Sequence, residues 1–265
     1  MNKRIGLALG AFLVWTAITI LLGRFLAGGE TSLLDGVTSG LGWAWIAAAA
    51  FILSIALWQG WSDVGLTRGS DARGWRLTWL PMIYIIGGLG LATVLGLPPA
   101  SALVLILINT FFVGFSEELM FRGVILQSFR HAVPIWVAVL ITSILFGSIH
   151  SLNVFVTGDL GAALIQSTAA FLSGIVFIAL RLRTGSLWPP IVVHWLWDFA
   201  TFTVSAASVG ASQGAAHGNL PAEAVSVPDG TGFAVFAPIL LVLPNAIYGL
   251  WLLRNIGKTH KSPEM

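Results

Sequence analysis

Residues 116–123 read SEELMFRG. Three ionisable side chains, Glu117, Glu118 and Arg122, fall there within a run from Ser101 to Leu126 that is otherwise almost wholly apolar. A helix through that run is about 39 Å long at 1.5 Å per residue, longer than the roughly 30 Å hydrocarbon core of a bilayer. Glu117 then lies about 20 Å back from the Arg130 end, near the middle of the membrane. A lone carboxylate at that depth costs about 2.5–3.5 kcal/mol on insertion scales, so such groups face a bundle interior, find partners or titrate. Glu118 has a partner on its own helix, because Arg122 stands at i+4 with the acid N-terminal to the base, the favoured order. Glu117 lies on a different stripe, about 100° away. No basic residue stands at its i±3 or i±4 positions.

Composition explains why these charges stand out. Of 265 residues, 57% are hydrophobic and only 9% charged, with a mean hydropathy of +0.90. Soluble domains carry about 25% charged residues. The fold class is therefore an all-α polytopic membrane protein. The net charge of +2 comes from few residues and points to no nucleic-acid partner. The absence of cysteine excludes disulfides, cysteine ligands and a thiol nucleophile.

Eight spans can be drawn, at 5–27, 41–60, 77–97, 101–128, 134–152, 160–181, 186–207 and 233–253. Gly28-Gly29, Pro98-Pro99, Pro134 and Pro189-Pro190 separate them. The apolar run from Ile5 to Gly23 is longer than the usual core of a signal peptide and reads as an uncleaved first span. There is no internal repeat, so residues 1–265 form a single transmembrane domain, with 101–207 as its catalytic core helices. The Gly/Ala/Ser/Pro-rich stretch 209–232 reads as a mobile non-cytoplasmic loop. Lys3, Arg4, Arg68, Arg73, Arg76, Arg130, Arg181, Arg183, Arg254, Lys258 and Lys261 fall on one side of this arrangement. Glu30, Asp35, Asp159, Glu223 and Asp229 fall on the other, with Arg24 the basic residue near them. The positive-inside rule then places both termini in the cytoplasm.

Two further spans bring polar residues to the level of Glu117. The fifth, PIWVAVLITSILFGSIHSL, carries His150, with Phe146 at i−4 on the same face. The seventh carries HWLWD, with His194 and Asp198 at i and i+4, about 16 and 22 Å deep. Independent core residues have no reason to share one depth, and their convergence marks a site. His131, His217 and His260 fall in a turn, a loop and a tail and read as solvated. Asn109, Gln166 and Asn245 read as interhelical hydrogen-bonding residues.

No hydroxyl stands in a convincing nucleophile context, and neither HExxH nor a Gly-rich phosphate loop is present. A carboxylate with two imidazoles can hold and deprotonate water. Two His and a carboxylate can also ligate a divalent metal such as zinc. Either way the natural reaction is attack of water on a carbonyl.

EELMFR, FGSIH and HWLWD, in that order, match the EExxxR, FxxxH and HxxxN/D motifs of the CAAX-protease and bacteriocin-processing (CPBP, or ABI) family of intramembrane proteases. The resemblance covers about Phe111 to Phe199 and extends to the type II CAAX prenyl endopeptidases. It implies that Glu117 is the general base, assisted by His150. It implies that Glu118 and Arg122 fix the helix and pocket, and that His194 and the residue at 198 stabilise the oxyanion. Many members carry Asn where this chain has Asp198, which donates a hydrogen bond only when protonated. Asp198 therefore leaves two further readings open, an orienter of His194 or, with Glu117, His150 and His194, a metal ligand. Metal-free glutamic and metalloprotease mechanisms are both proposed within the family. The expected substrate is a peptide or membrane-tethered protein cut from the cytoplasmic side of a prokaryotic plasma membrane, with no prenyl specificity inherited. A proton-coupled transporter and a non-catalytic immunity-type protein on the same fold are the alternative functions.

Overall fold

The computed structural model describes residues 3–216 and 233–256. His217, Glu223, Asp229, Lys258, His260 and Lys261 lie outside the described residues. Those described form helices joined by short turns, with no strand among them. Eight rods carry the architecture. They are α1 (Lys3–Ala27), α2 (Trp43–Trp58), α3 (Trp79–Leu95), α4 (Ala100–Arg130), α5 (Ile135–Ser151), α6 (Leu160–Thr184), α7 (Trp188–Ala216) and α8 (Ala237–Leu253). Each matches one expected span. By length and composition α1, α4, α5 (with its short extension to Thr157) and α6 suffice to cross a membrane; α2, α3 and α8 are shorter apolar helices. In lipid the backbone must satisfy its own hydrogen bonds, which a helix does within one segment.

Local chemistry sets the ends of the rods. Pro99 and Pro134 occupy the positions before α4 and α5, and Asp159 caps α6 by accepting from the Ala162 amide at 2.9 Å. Gly185, at φ +67°, closes α6 in the left-handed conformation. Pro189 and Pro190 fall in the first turn of α7, where a missing N–H costs nothing. The stretch expected to be a loop from Val209 instead continues α7 to Ala216. Alanine has the strongest helix propensity, and Ser208 and Ser212 bond back to the carbonyls of Val204 and Ser208 rather than disturbing the turn. The rest of the expected loop lies outside the described residues.

The Arg-rich turns gather at one end of the bundle. Asp63 receives Arg4 at 2.7 Å and His131 at 3.1 Å, while Arg181 donates to its backbone carbonyl at 2.6 Å. His131 is half-exposed, yet it is an ion-pair partner rather than a purely solvated residue. At the opposite end Asn109 of α4 donates to the carbonyls of Val37, in the short helix Leu33–Thr38, and Gly40, and accepts from the Gly42 amide, so it fastens both that helix and the loop after it. Gln166 accepts from Asn153 at 2.8 Å. Asn245 departs from expectation. It is 2% exposed and neither amide atom has a protein partner, because apolar side chains such as Val176 and Val193 surround it.

Helix α6 is the central rod, packed against α5 on one side and α8 on the other, while α4 packs against α2 and α7. Small residues permit these approaches. A Cβ added at Gly249 of α8 would lie 2.8 Å from the backbone of Val176 in α6, and one at Gly147 of α5 would lie 3.0 Å from the Ser167 carbonyl.

Two expectations follow. Gly249→Ala forces α8 away from α6 and should destabilise by about 1–3 kcal/mol. Gly210→Ala, where a Cβ meets nothing, should be neutral or stabilising. Thermal unfolding in detergent reads both. At Asp63, burial raises the carboxyl, but the hydrogen bonds and charges of Arg4 and His131 outweigh it and hold the group below its ordinary range. That contribution, at most about 1 kcal/mol after solvent screening, is complete at neutral pH and is lost as pH falls below about 4. The gap in unfolding midpoint between wild type and Asp63→Asn should therefore shrink on acidification.

Candidate functional site

The site is assembled where α4 meets α5, α6 and α7. Just after Glu117 and Glu118 the α4 backbone changes from α- to π-helix over Leu119–Ile125. The Leu126 amide bonds the Phe121 carbonyl across the wide turn, and the Gln127 side chain donates to the Arg122 carbonyl at 3.2 Å. Single π-turns inside α-helices recur at functional sites. No residue of the π segment is accessible; Leu119 to Ile125 are buried throughout.

Arg122 and Glu118 are both fully buried and meet at 2.8 Å, so the sequence-expected i,i+4 pair forms. It is not self-contained. The same oxygen of Glu118, Oε1, also accepts from Nδ1 of His194 at 2.8 Å, and Arg122 donates to the Gly174 carbonyl of α6 at 3.3 Å. The guanidinium sits 4.1 Å from the Phe146 ring centre and 5.1 Å from that of Phe177, within cation–π range. A Cβ at Gly174 would lie 3.2 Å from the guanidinium, so glycine makes room for the charge.

Glu117 sits on the cavity side of this cluster. Its Oε2 is buried without a hydrogen-bond partner and faces Nε2 of His194 at 3.8 Å and Nε2 of His150 at 3.9 Å. Asp198 Oδ2 approaches the same His194 nitrogen at 3.5 Å. His150 Nδ1 bonds the Phe146 carbonyl at 2.8 Å. A carbonyl and a paired carboxylate only accept, so Nδ1 of each histidine carries the hydrogen. In a neutral ring Nε2 then presents a lone pair. Phe146 stands edge-on to both imidazoles, and Phe177 lies flat on His194 at 4.8 Å.

All seven site residues expected from sequence, Glu117, Glu118, Arg122, Phe146, His150, His194 and Asp198, therefore meet. Phe177 and Gly174 escaped the sequence reading. Both sit in an apolar stretch of α6 where no polar pattern distinguishes one face from another.

The donors match the spacing of a tetrahedral zinc site only in part. Zinc–ligand bonds of about 2.0–2.2 Å set ligand atoms about 3.3–3.6 Å apart in a tetrahedron. The 3.5 Å between Asp198 and His194 falls within that range, whereas Glu117 stands 3.8 and 3.9 Å from the two imidazoles, beyond it. Among the described residues no group of three or more His, Cys, Asp or Glu is set to hold a metal ion. A bridging water, at about 2.8 Å from each neighbour, is accommodated by the same spacings.

The four residues line a cavity of about 1140 Å³. With this geometry established, comparison with known proteins is informative. Residues 99–200 match the family model described as type II CAAX prenyl endopeptidase Rce1-like. The match contains every residue of the cluster, and with the apolar helices it marks an integral membrane protein. Outside the Rce1-like comparison, an "Uncharacterized 24.3 kDa protein" of Escherichia coli is 34% identical over 83 residues, 30% of this chain. The match spans about a third of that protein's length. No solved structure matches the chain.

Removing Arg122 leaves the buried Glu118 with His194 as its remaining partner, and breaking a buried ion pair costs about 3–5 kcal/mol. Arg122→Ala should therefore lower the unfolding midpoint and the yield of folded protein. Arg122→Lys should fall between, since an ammonium keeps the charge but loses the planar fork and its stacking.

Proposed function

We propose that the chain is an intramembrane endopeptidase in which Glu117 activates water against a peptide carbonyl. The observation that carries this reading is the Glu117 carboxylate oxygen, buried, unpartnered and facing two imidazole nitrogens inside a cavity. The cavity exceeds the roughly 300–1,000 Å³ usual for small-molecule pockets. The Rce1-like match supports the peptidase class.

In this scheme a water donates one hydrogen to Glu117 and the other to the Nε2 lone pair of His150. Its own lone pair is left for the scissile carbonyl. As the oxygen–carbon bond forms, Glu117 takes the proton and the carbonyl electron pair moves onto oxygen. His194, in its imidazolium form, offers Nε2–H to that oxyanion. Glu118 accepts from Nδ1 behind it, and Arg122 neutralises Glu118. When the tetrahedral intermediate collapses, the C–N bond breaks and the proton on Glu117 passes to the departing amine. The contact between Asp198 and His194 supports an orienting role for Asp198 rather than that of an oxyanion donor. The buried π segment below the site supports a cavity closed at that end, which favours the peptidase over the transporter. A peptide or membrane-tethered protein is the substrate class.

Purified protein in detergent, assayed with a fluorogenic peptide library, tests the scheme. Glu117→Gln should fold normally and lose about 10²–10⁴-fold in rate. Loss of an oxyanion donor in His194→Ala should cost about 10²–10³-fold or more. Cleavage that survives Glu117→Gln overturns the assignment of the base, and solute uptake abolished by that change points to a transporter. Dialysis against a chelator should leave the rate within about twofold; loss restored by zinc assigns the metalloprotease route instead.

A further inference from the structure

The cavity lining runs to one end of the bundle. Its deep end is formed by Glu117, His150 and His194, and its far end includes Thr31, Trp43 and Asp159. None of the residues lining it comes from the Arg-rich turns, from 119–145 or from 178–193. The π segment explains why. Its side chains fill the space between Glu118 and the Arg-rich end, with Phe121 packed edge-on against Trp15 and Phe146. The way in from Glu117 therefore runs away from the arginines.

The shape of the cavity suits a strand of peptide. Along α6 its lining extends from Phe177 to Gly161, about 24 Å at 1.5 Å per residue. At about 3.3–3.6 Å per residue an extended segment of about seven residues fills that length. Charge indicates what kind. Glu117, Asp159 and Asp198 line the cavity, and no Lys or Arg does among the described residues. Glu30 lies against Gly158 beside Asp159 at the mouth, with Arg24 4.0 Å from its carboxylate. A free C-terminal carboxylate meets no cation in the cavity lining, whereas a basic flank at the mouth meets Asp159 and Glu30, with Arg24 the base beside them.

We propose that the substrate enters from the end opposite the Arg-rich turns, the non-cytoplasmic face under the positive-inside rule, as an extended apolar peptide segment with a basic flank held at the mouth. This rests on the endopeptidase reading for its chemistry, and it reverses the cytoplasmic access expected from the sequence. The salt dependence of such a flank follows from its exposure to solvent.

The chain has no cysteine, so single cysteines report access without background. Ser173→Cys and Thr201→Cys line the cavity, and Gly69→Cys lies exposed in an Arg-rich turn. In intact cells a membrane-impermeant maleimide should modify the first two, and Gly69→Cys only after permeabilisation. Cavity cysteines that label from the same side as Gly69→Cys, or from neither side, overturn the proposed entry; so does the reverse orientation. A second arm compares peptides that differ only in a Lys- or Glu-rich flank. The Lys-flanked peptide should be cleaved about tenfold faster at low salt, with the preference reduced by salt and by Asp159→Asn, which keeps the cap. Equal cleavage overturns the basic flank. Labelling needs no turnover, so a failed base assignment leaves the first arm standing, and a failed entry route leaves the Glu117→Gln result standing.

Discussion

The bundle interior is organised around one oxygen. Glu118 Oε1 accepts from Arg122 on its own helix and from His194 on α7, each at 2.8 Å, in a region fully withdrawn from solvent. A buried carboxylate without such partners is expensive, and so is a buried guanidinium. Because each compensates the other, neither can move far, and α4 and α7 are held in register at this level. The second guanidinium contact, to the Gly174 carbonyl, brings α6 into the same knot. Phe146 and Phe177 then complete its apolar walls.

This arrangement divides two adjacent carboxylates into different environments. Glu118 is tied down, whereas Glu117 faces the cavity with an unpartnered oxygen. Consecutive residues on a helix point about 100° apart, and that offset separates a structural acid from one free for chemistry. His194 stands between them, held at Nδ1 by one and presenting Nε2 to the other. Its position is set by helices and not by a loop.

Much of this was legible in the chain. Apolar runs and proline-bearing turns located all eight rods, because a backbone in lipid has few choices. Ionisable residues in such runs are costly enough that their positions alone marked the cluster of Glu117, His150, His194 and Asp198. The extent of α7 was not legible, since Ala- and Ser-rich sequence is compatible with loop or helix and only packing decides. Asn245 misled for a similar reason: polarity predicts a wish for partners, and the neighbours determine whether they exist.

By itself the sequence determined that the protein is helical, that it lies in a membrane, which residues carry charge at its centre, and how Lys and Arg divide between its two ends. Periodicity and transfer free energy act locally and can be summed along the chain. The tertiary structure decided what those charges do. It placed His194 between two glutamates, widened α4 into a buried π segment, and laid Phe177 and Gly174 against the arginine. It also turned the cavity toward the acidic end. These depend on which helix faces which, and at what rotation, and neither is written in the hydropathy of any single span.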